Sequence, residues 1–364
     1  MNERRIIALL GRRDEPTDAV EEYCRYLGGA LHDRGLAMEL ARVTWAERGW
    51  PAALRELRER AREWRGRWVV VQYTALAWSG RGFPLRFARV LKELREAGAR
   101  IAVVYHDVEP YNGARAIDKM RRRAQLRVMR EALKSSDLGI FTVPLDVISW
   151  LSRAPSNAVF IPVGANLPIA PLAAKHQRPE SGLRSVAIFG ITEGATGLGE
   201  CARIVDAVGF AAKHGIRIRL HAFGRGASEF EPELRDALRD VPVEVYVEGV
   251  LPAEQVVQAL SSSDVALFVR APISSRRGSA IAAIACILPL IAYVGVETAP
   301  PITEAGVVLV SQENKTELGE ALLGVLSDPD LRASLAERSS RAYREHFAWE
   351  AIAGCYIDAL SKRS

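Results

Sequence analysis

Short runs of apolar residues alternate along the chain with longer segments in which apolar residues recur every three or four positions. The short runs are typical of buried strands, and the longer segments are typical of amphipathic helices. Six strands are predicted in the first half: RRIIALLG, AMELARVT, WVVVQYT, IAVVYHD, LGIFTVP and NAVFIPVG. Five are predicted in the second half: SVAIFG, IRIRLHAFG, VEVYVEG, VALFVR and LPLIAYVG. This alternation predicts an α/β protein with two Rossmann-like, doubly wound parallel sheets, each covered by helices on both faces.

A proline-rich stretch without helical or strand periodicity, LPIAPLAAKHQRPESGLR, separates the two halves. We therefore expect a linker at 168–184, between a domain at 1–167 and a second domain at 185–345. Two such domains would face a central cleft between the carboxyl ends of their sheets, where ligands of doubly wound folds bind. The residues that directly follow strands are therefore the candidates for a binding site.

The uncharged stretch from Gly278 to Val296 is long enough to raise the question of a membrane span. It lies near the lower limit for a spanning helix, which needs roughly 20 apolar residues. Pro289 interrupts it, with an alanine-rich segment before and LIAYVG after. A buried helix followed by a buried strand is the interpretation that fits this pattern.

The composition is compatible with several kinds of binding partner. The 364 residues carry a net charge of +5, which suits phosphate-bearing small molecules, an anionic membrane surface or nucleic acid. The four cysteines lie far apart without CxxC spacing, so neither a zinc site nor a disulfide framework is indicated. Free thiols suggest a reducing cytoplasm, and the apolar run at the N-terminus is too short for a signal peptide.

His106 follows the predicted strand VVY and should lie at the carboxyl edge of the first sheet. Its imidazole could hydrogen-bond a sugar hydroxyl or a phosphate and could titrate near neutral pH. The alternative is a strand-end histidine bonded to backbone. Asp107 beside it is interpreted as a turn residue.

Two further strand ends carry glycine-rich turns. The loop FGITEGATGLGE, with a helix expected near Gly199, could bring backbone N–H groups to a phosphate, although it is neither a Walker loop nor a GxGxxG fingerprint. The turn after VEVYVEG could present backbone groups to a nucleobase, or could be a plain connection. The candidate binding residues in these turns are Gly190, Thr192, Thr196, Gly197, Gly249, Val250 and Leu251.

The loop APISSRRGS leads from a strand into the alanine-rich helix, and it places Arg276 and Arg277 at the start of that helix. Cations there oppose the helix dipole, whereas an anion held between the arginines and the helix end would reverse the effect. The hydroxyls nearby could donate to the same anion, and Gly278 would allow close approach. The supporting residues are Ser274, Ser275, Gly278 and Ser279. The alternative is that both arginines point into water.

Two basic helices, RELRERAREWRG and DKMRRRAQLRVMR, remain. Each is either a solvated helix face or a peripheral contact with acidic lipid. No array of aromatic residues accompanies them, which argues against a nucleic-acid groove.

Several segments together resemble the retaining family-4 glycosyltransferases of GT-B fold. They are VVYHD, IPVGANLP, SSSDVALFV, SAIAAIACILPLIA and the closing ENKTELGEALLGVLSDPDLRASLAERSSRAYREHFAWEAIAGCYIDAL. The resemblance covers nearly the whole chain. In the family a phenylalanine and a tryptophan, like Phe347 and Trp349 here, precede a closing helix that crosses back onto the first domain.

The resemblance implies transfer of a sugar, with retention, from a nucleotide-diphosphate sugar to a saccharide or lipid-linked acceptor, as in polysaccharide or glycoconjugate synthesis. It implies that neither a metal nor a cofactor is needed. The acceptor would bind at 1–167 and the donor at 185–345, with 346–364 crossing back. The position of His106 would contact the donor sugar, the loop Gly190 to Gly197 would face the diphosphate, and the turn Gly249 to Leu251 would lie near the base.

The chain departs from the family where charge is expected. The family's Glu-x7-Glu acids align with Ser274 and Ala282, and its basic pair near the phosphate loop is replaced by Glu193 and Thr196. The family's first glycine-rich loop is replaced by EPTD. The hypothesis is therefore that the two arginines before the alanine-rich helix, Arg276 and Arg277, neutralise the diphosphate, aided by nearby serine hydroxyls, and stabilise the leaving group.

Two other functions stay open on the sequence. A non-catalytic GT-B scaffold, or a partner subunit of an active transferase, would explain the missing acids. An epimerase acting on a nucleotide sugar shares the fold and predicts several acids near His106, where the chain offers Asp107 and Glu109.

Overall fold

The computed structural model describes residues 4–15, 18–151, 153, 155–169 and 182–363. These residues form two compact units, one comprising Met1–Val163 with Trp349–Ser364 and the other comprising Gly164–Ala348. Most of the predicted linker at 168–184 lies outside the described residues. The predicted boundaries 1–167, 185–345 and 346–364 therefore remain predictions beside these observed units.

The first unit is built on a sheet of six parallel strands in the order β2-β1-β3-β4-β5-β6. The strands are β1 (Arg4–Leu10), β2 (Leu36–Arg42), β3 (Trp68–Tyr73), β4 (Arg100–Tyr105), β5 (Leu138–Phe141) and β6 (Ala158–Phe160). The helices are α1 (Ala19–His32), α2 (Trp45–Arg48), α3 (Trp50–Ala61), α4 (Phe87–Glu96), α5 (Ala116–Ser135) and, from the end of the chain, α12 (Trp349–Ser361). All six predicted strands of this half are confirmed.

The sequence pattern predicts a capping box at the start of α1, formed by Asp18 and Glu21. Asp18 does cap the helix, since its carboxylate accepts the backbone N–H groups of Val20 at 3.2 Å and Glu21 at 3.0 Å. The second half of the prediction is wrong, because the Glu21 carboxylate accepts hydrogen bonds from the guanidinium groups of Arg25 and Arg42. Two nearby cations compete successfully for this carboxylate.

The second unit also contains six parallel strands, in the order β12-β11-β10-β7-β8-β9. The strands are β7 (Leu183–Phe189), β8 (Arg217–Phe223), β9 (Val243–Val247), β10 (Val265–Phe268), β11 (Leu290–Tyr293) and β12 (Val307–Val310). The helices are α6 (Ala195–Lys213), α7 (Glu231–Ala237), α8 (Ala253–Ser261), α9 (Gly278–Ala285), α10 (Glu317–Ser327) and α11 (Pro329–Ala342). The inner strands β10 and β11 are buried at every residue, as expected for strands covered on both faces.

The structure corrects the sequence prediction at two places in this unit. Strand β12 is absent from the predicted strands; it lies at the edge of the sheet, where Val308 and Leu309 are only half-buried. Helix α6 begins at Ala195, four residues before the predicted Gly199, and Gly194 precedes it with a positive φ of 71°. Thr196 and Gly197 therefore lie in the first turn of a helix and not in a loop.

The uncharged stretch after Gly278 is a buried helix, α9, followed by a buried strand, β11, as predicted. Within the described ranges, no helix combines the length and the apolar character that a membrane crossing requires.

Candidate functional site

At the carboxyl edge of the second sheet, the loop after β10 is hydrogen-bonded to the loop after β11. The backbone N–H of Ile273 donates to the carbonyl of Tyr293 at 2.8 Å, and the hydroxyl of Thr298 donates to the carbonyl of Ile273 at 2.7 Å. A Cβ on Gly295 would lie within 3 Å of the Pro272 ring, so the loops can approach this closely only with glycine there. These hydrogen bonds place residues of the loop after β11 in contact with the arginine pair in the loop after β10.

Arg276 forms a bidentate ion pair with Glu297, which is not among the residues predicted from the sequence. Its Nε and Nη2 donate to the two carboxylate oxygens at 2.8 and 2.9 Å. Burial would raise the pKa of Glu297, but the hydrogen bonds and charge of Arg276 outweigh it, with help from Ser274 and Arg277, and lower that pKa below its ordinary value. Arg276 is therefore held in place by a carboxylate that largely balances its charge.

Arg277 is in a different situation from its neighbour. Burial, followed by repulsion from Arg276, lowers its pKa to about 10, so the guanidinium still carries its charge at neutral pH. Its Nε is buried and has no hydrogen-bond partner within the described ranges of the chain. Arg277 directly precedes α9, whose first residue is Gly278, and no side chain caps that helix. A partly buried cation with an unpartnered Nε at a helix N-terminus suits an anionic ligand.

Arg270 is a third cation at this edge, and it too was not singled out from the sequence. Strand β10 is the direct neighbour of β7, so the residues that follow these two strands lie side by side. A Cβ on Gly190, which has a φ of 82°, would lie 3.2 Å from Nη1 of Arg270. The cation expected near the glycine-rich loop is thus present, but it comes from the adjacent strand and not from the loop itself.

The glycine-rich loop has fewer backbone N–H groups available to a ligand than the sequence predicts. The N–H of Thr192 donates to the buried carboxylate of Glu200 at 2.8 Å, and the N–H of Gly194 donates to Glu229 at 3.1 Å. A Cβ on Gly197 would overlap the Thr192 carbonyl and the ring of Phe230, so this glycine serves helix packing. Any phosphate group here would depend on the arginines for its charge compensation.

The remaining predicted residues of this unit lie along the same sheet edge. The carbonyl of Gly249 accepts the N–H of Gly224 at 2.8 Å, and Gly224 packs directly against Gly190. Val250 is exposed and Leu251 is half-buried. Ser274 and Ser275 are buried, Ser279 is half-buried, and Gly278 is exposed with open space around its Cα, so a side chain would fit there.

His106 belongs to the first unit and lies in a network of polar and aromatic side chains. Its Nε2 lies 2.9 Å from the side-chain oxygen of Gln72, and its ring meets the edge of Tyr23 at 5.0 Å. The Gln72 amide nitrogen donates to the carbonyl of Val70, which leaves its oxygen facing His106. The Tyr23 hydroxyl in turn bonds that of Tyr356 on α12 at 2.7 Å. Asp107 accepts the N–H of Ala75, which lies in the loop after β3, at 2.7 Å.

A cavity of about 190 Å³ opens at the carboxyl edge of the first sheet. Gln72 and Asp107 line it together with Arg42, whose guanidinium is occupied by Asp18, Glu21 and the carbonyl of Gly11. In the described part of the chain, no group of three or more histidine, cysteine, aspartate or glutamate residues is arranged to hold a metal ion.

Comparison with known proteins identifies solved structures that share the fold of this chain. No family model and no curated protein matches the chain. Solved structures match it over nearly its full length. Anabaena HepE, crystallised with UDP and glucose, has a TM-score of 0.67 at 14% identity and covers 99% of this chain and 100% of its own. WaaG, a glycosyltransferase involved in lipopolysaccharide biosynthesis, has a TM-score of 0.64 at 14% identity, covering 97% and 98%. A glycosyltransferase from Rickettsia africae has a TM-score of 0.68 at 13% identity, covering 100% and 99%.

These neighbours are GT-B glycosyltransferases, and the likeness at this level of identity concerns the fold. The predicted fold class, two doubly wound parallel sheets of the GT-B type, is confirmed by two six-stranded parallel sheets with flanking helices.

Proposed function

We propose that this protein is a glycosyltransferase that moves a sugar from a nucleotide-diphosphate sugar to a saccharide or lipid-linked acceptor, with retention and without a metal ion, in polysaccharide or glycoconjugate synthesis in the cytoplasm. The fold supports this proposal, as do solved structures of the same fold that contain UDP or UDP-glucose. The observation that carries it is Arg277, a charged guanidinium that is largely buried and whose Nε lacks a partner among the described residues.

The physical argument is one of charge compensation. Burying a cation costs free energy unless an opposite charge or hydrogen bonds offset that cost. Arg276 obtains this compensation from two hydrogen bonds to Glu297, whereas Arg277 feels that carboxylate only at longer range and has Arg276 and Arg270 as positive neighbours. A diphosphate carries the charge and the acceptor oxygens that this position lacks.

The proposed roles follow from this arrangement. Arg277 and Arg270 bind the diphosphate and stabilise the charge that develops on it as the bond to the sugar breaks. Glu297 orients Arg276 and supplies a carboxylate beside Ser274, the position where the resembling family carries an acid. The glycine-rich turns after β7 and β9 accommodate the diphosphate and the base, and His106 is proposed to contact the donor sugar.

Nucleotide binding tests the proposal most cheaply. Thermal-shift measurements with UDP, GDP, dTDP and ADP, each with magnesium or with a chelator, should show stabilisation by one nucleotide regardless of magnesium. The absence of a response to all four would contradict donor binding. A response without any turnover of nucleotide sugars would favour the non-catalytic scaffold.

Kinetics then test the assigned roles. Changing Arg277 to alanine should raise the KM for the donor and lower kcat, because the same cation binds the diphosphate and stabilises the leaving group. The double change of Arg276 and Arg277 to alanine should lower kcat/KM further. Unaltered kinetics in either variant would remove the arginines from the mechanism.

A further inference from the structure

Gln72 is an amide side chain in a strand, β3, that is otherwise aliphatic and aromatic, with the sequence WVVVQY. It is 1% exposed, so hydrogen bonds within the protein must replace those that water would make. Its amide nitrogen donates to the carbonyl of Val70 at 3.3 Å, and its amide oxygen lies 2.9 Å from Nε2 of His106. An apolar residue would avoid this requirement, so the amide indicates a role beyond packing of the core.

The pairing of β3 with β4 brings Gln72 and His106 to the same face of the first sheet. Gln72 is the partner of Val104 in the parallel register, and His106 follows Val104 by two residues. The N–H of His106 continues the ladder by donating to the carbonyl of Tyr73 at 3.0 Å. Because side chains alternate between the two faces along an extended chain, the register itself sets the imidazole beside the amide.

The imidazole ring is confined from a second side by α1. The ring of Tyr23 meets it edge-on, with the centroids 5.0 Å apart and the planes at 86°. Tyr23 is itself held by α12, because its hydroxyl bonds that of Tyr356 at 2.7 Å and its ring packs against Trp349 at 5.1 Å. Burial raises the pKa of the Tyr23 and Tyr356 hydroxyls, so this side of the imidazole stays uncharged.

We propose that Gln72 is a positioning residue: its amide oxygen accepts the Nε2–H of His106 and thereby fixes the orientation and the tautomer of the imidazole. In a neutral imidazole one nitrogen donates and the other accepts, so a proton held on Nε2 makes Nδ1 the acceptor. A hydroxyl group can donate to such a nitrogen, whereas an ionised phosphate oxygen cannot. This inference rests on the proposed function, in which His106 contacts the donor sugar, and it selects a sugar hydroxyl over a phosphate as the group that His106 binds.

The tautomer is measured by nitrogen-15 NMR of the full-length protein labelled at its histidines. The chain contains six histidines, and the signals of His106 are those missing from the spectrum of His106→Ala. At about pH 8, above the ordinary histidine pKa of about 6.5, we expect a protonated Nε2 and an unprotonated Nδ1. A proton on Nδ1, or equal amounts of the two tautomers, would overturn the proposal. The measurement needs no donor and no acceptor, so its failure is distinguishable from failure of the proposed transferase activity.

Two substitutions of Gln72 separate positioning from packing. Gln72→Met keeps a similar volume but removes the acceptor, so His106 should become a mixture of tautomers. In this variant kcat for turnover of the nucleotide sugar should fall about ten-fold, towards the level of His106→Ala, with the donor KM within about three-fold of wild type.

Gln72→Glu keeps the acceptor and adds a negative charge. The tautomer should be retained, and the pKa of His106 should rise by about one unit, because a carboxylate favours the imidazolium form. The acid limb of the pH profile of kcat should then move to higher pH. The other charged residues that line the cavity with Gln72 are unchanged between wild type and variants: Arg12, Arg13, Asp14, Asp18, Arg42 and Asp107. Unaltered His106 signals and an unaltered His106 titration in both Gln72 variants would overturn the proposal.

Tyr356→Phe is the matched control. It removes one buried hydrogen bond from the same cluster, the bond to Tyr23, and leaves Gln72 in place. Its Tm should fall, while the tautomer of His106 stays as in wild type and kcat stays within about two-fold. A loss of kcat and a change of tautomer as large as those of Gln72→Met would mean that general packing, and not Gln72, orients the imidazole, and the proposal would be overturned.

Discussion

Replacing Arg277 by methionine should stabilise the ligand-free protein. In the folded protein the pKa of this guanidinium is lowered to about 10, chiefly through burial. For a base, a lowered pKa means that folding disfavours the charged form. This penalty is fully present below about pH 10 and disappears only above the ordinary value, so it acts in full at neutral pH. At 1.36 kcal/mol per pKa unit it amounts to about 3 kcal/mol.

The expected gain is smaller than this ceiling, because part of the guanidinium faces solvent and methionine will not fill the same space. A net gain of about 1–3 kcal/mol in the free energy of unfolding would raise Tm by roughly 2–10 °C for a unit of this size. The same change removes a cation from the proposed diphosphate site, so the response to nucleotide should fall sharply.

Replacing the neighbouring arginine is a control that should change Tm in the opposite direction. Replacing Arg276 by methionine leaves the half-buried carboxylate of Glu297 without its two hydrogen bonds. Leaving such a group unsatisfied costs about 1–3 kcal/mol, so Tm should fall. Two adjacent arginines of identical chemistry are thus expected to shift Tm in opposite directions.

Differential scanning fluorimetry at pH 7, with and without UDP, measures both effects. A nucleotide at about 100 times its Kd stabilises a protein by about 2.7 kcal/mol, and wild type should show a shift of this order. The Arg277 variant should start from a higher Tm and gain little on adding nucleotide. A lower Tm combined with a full response to UDP would refute the reasoning about this side chain.

Three further predictions concern other residues of the two sites. Folding lowers the pKa of Glu297 from its ordinary 4.5, so the ionised carboxylate stabilises the fold above about pH 4.5, and this stabilisation is lost as the pH falls through the lower, folded-state pKa. Glu297→Gln should therefore make Tm fall less steeply towards acid pH. An unchanged pH profile of Tm would contradict the ion pair. Arg270→Ala should raise the donor KM about 10- to 100-fold through loss of a charge-assisted hydrogen bond, while Arg270→Lys should recover part of the loss. His106→Ala should lower kcat at least about ten-fold and leave nucleotide binding unchanged in a thermal shift; a purely structural histidine would lower Tm without this kinetic effect.

The fold could be predicted from the sequence because its signals are local. Short apolar runs such as WVVVQY and longer periodic segments identify strands and helices one at a time, and their alternation determines the class. Predictions failed where local signals were weak or balanced. Strand β12 is a half-buried strand at the sheet edge, and the Glu21 carboxylate binds two arginines in preference to the end of its helix.

The site was harder to predict because it depends on strand order. Gly190 and Arg270 are far apart in the sequence and become neighbours only because β7 pairs with β10. Glu297 meets Arg276 only because the loops after β10 and β11 are fastened together through Thr298. A search for arginines and acids just after each predicted strand, repeated for each possible strand order, could have found both.

The most direct test of the donor site is a crystal structure of the protein with UDP. We predict pyrophosphate oxygens within hydrogen-bonding distance, about 2.7–3.2 Å, of the guanidinium groups of Arg277 and Arg270. A pyrophosphate bound elsewhere, with the Nε of Arg277 still unpartnered, would contradict the account.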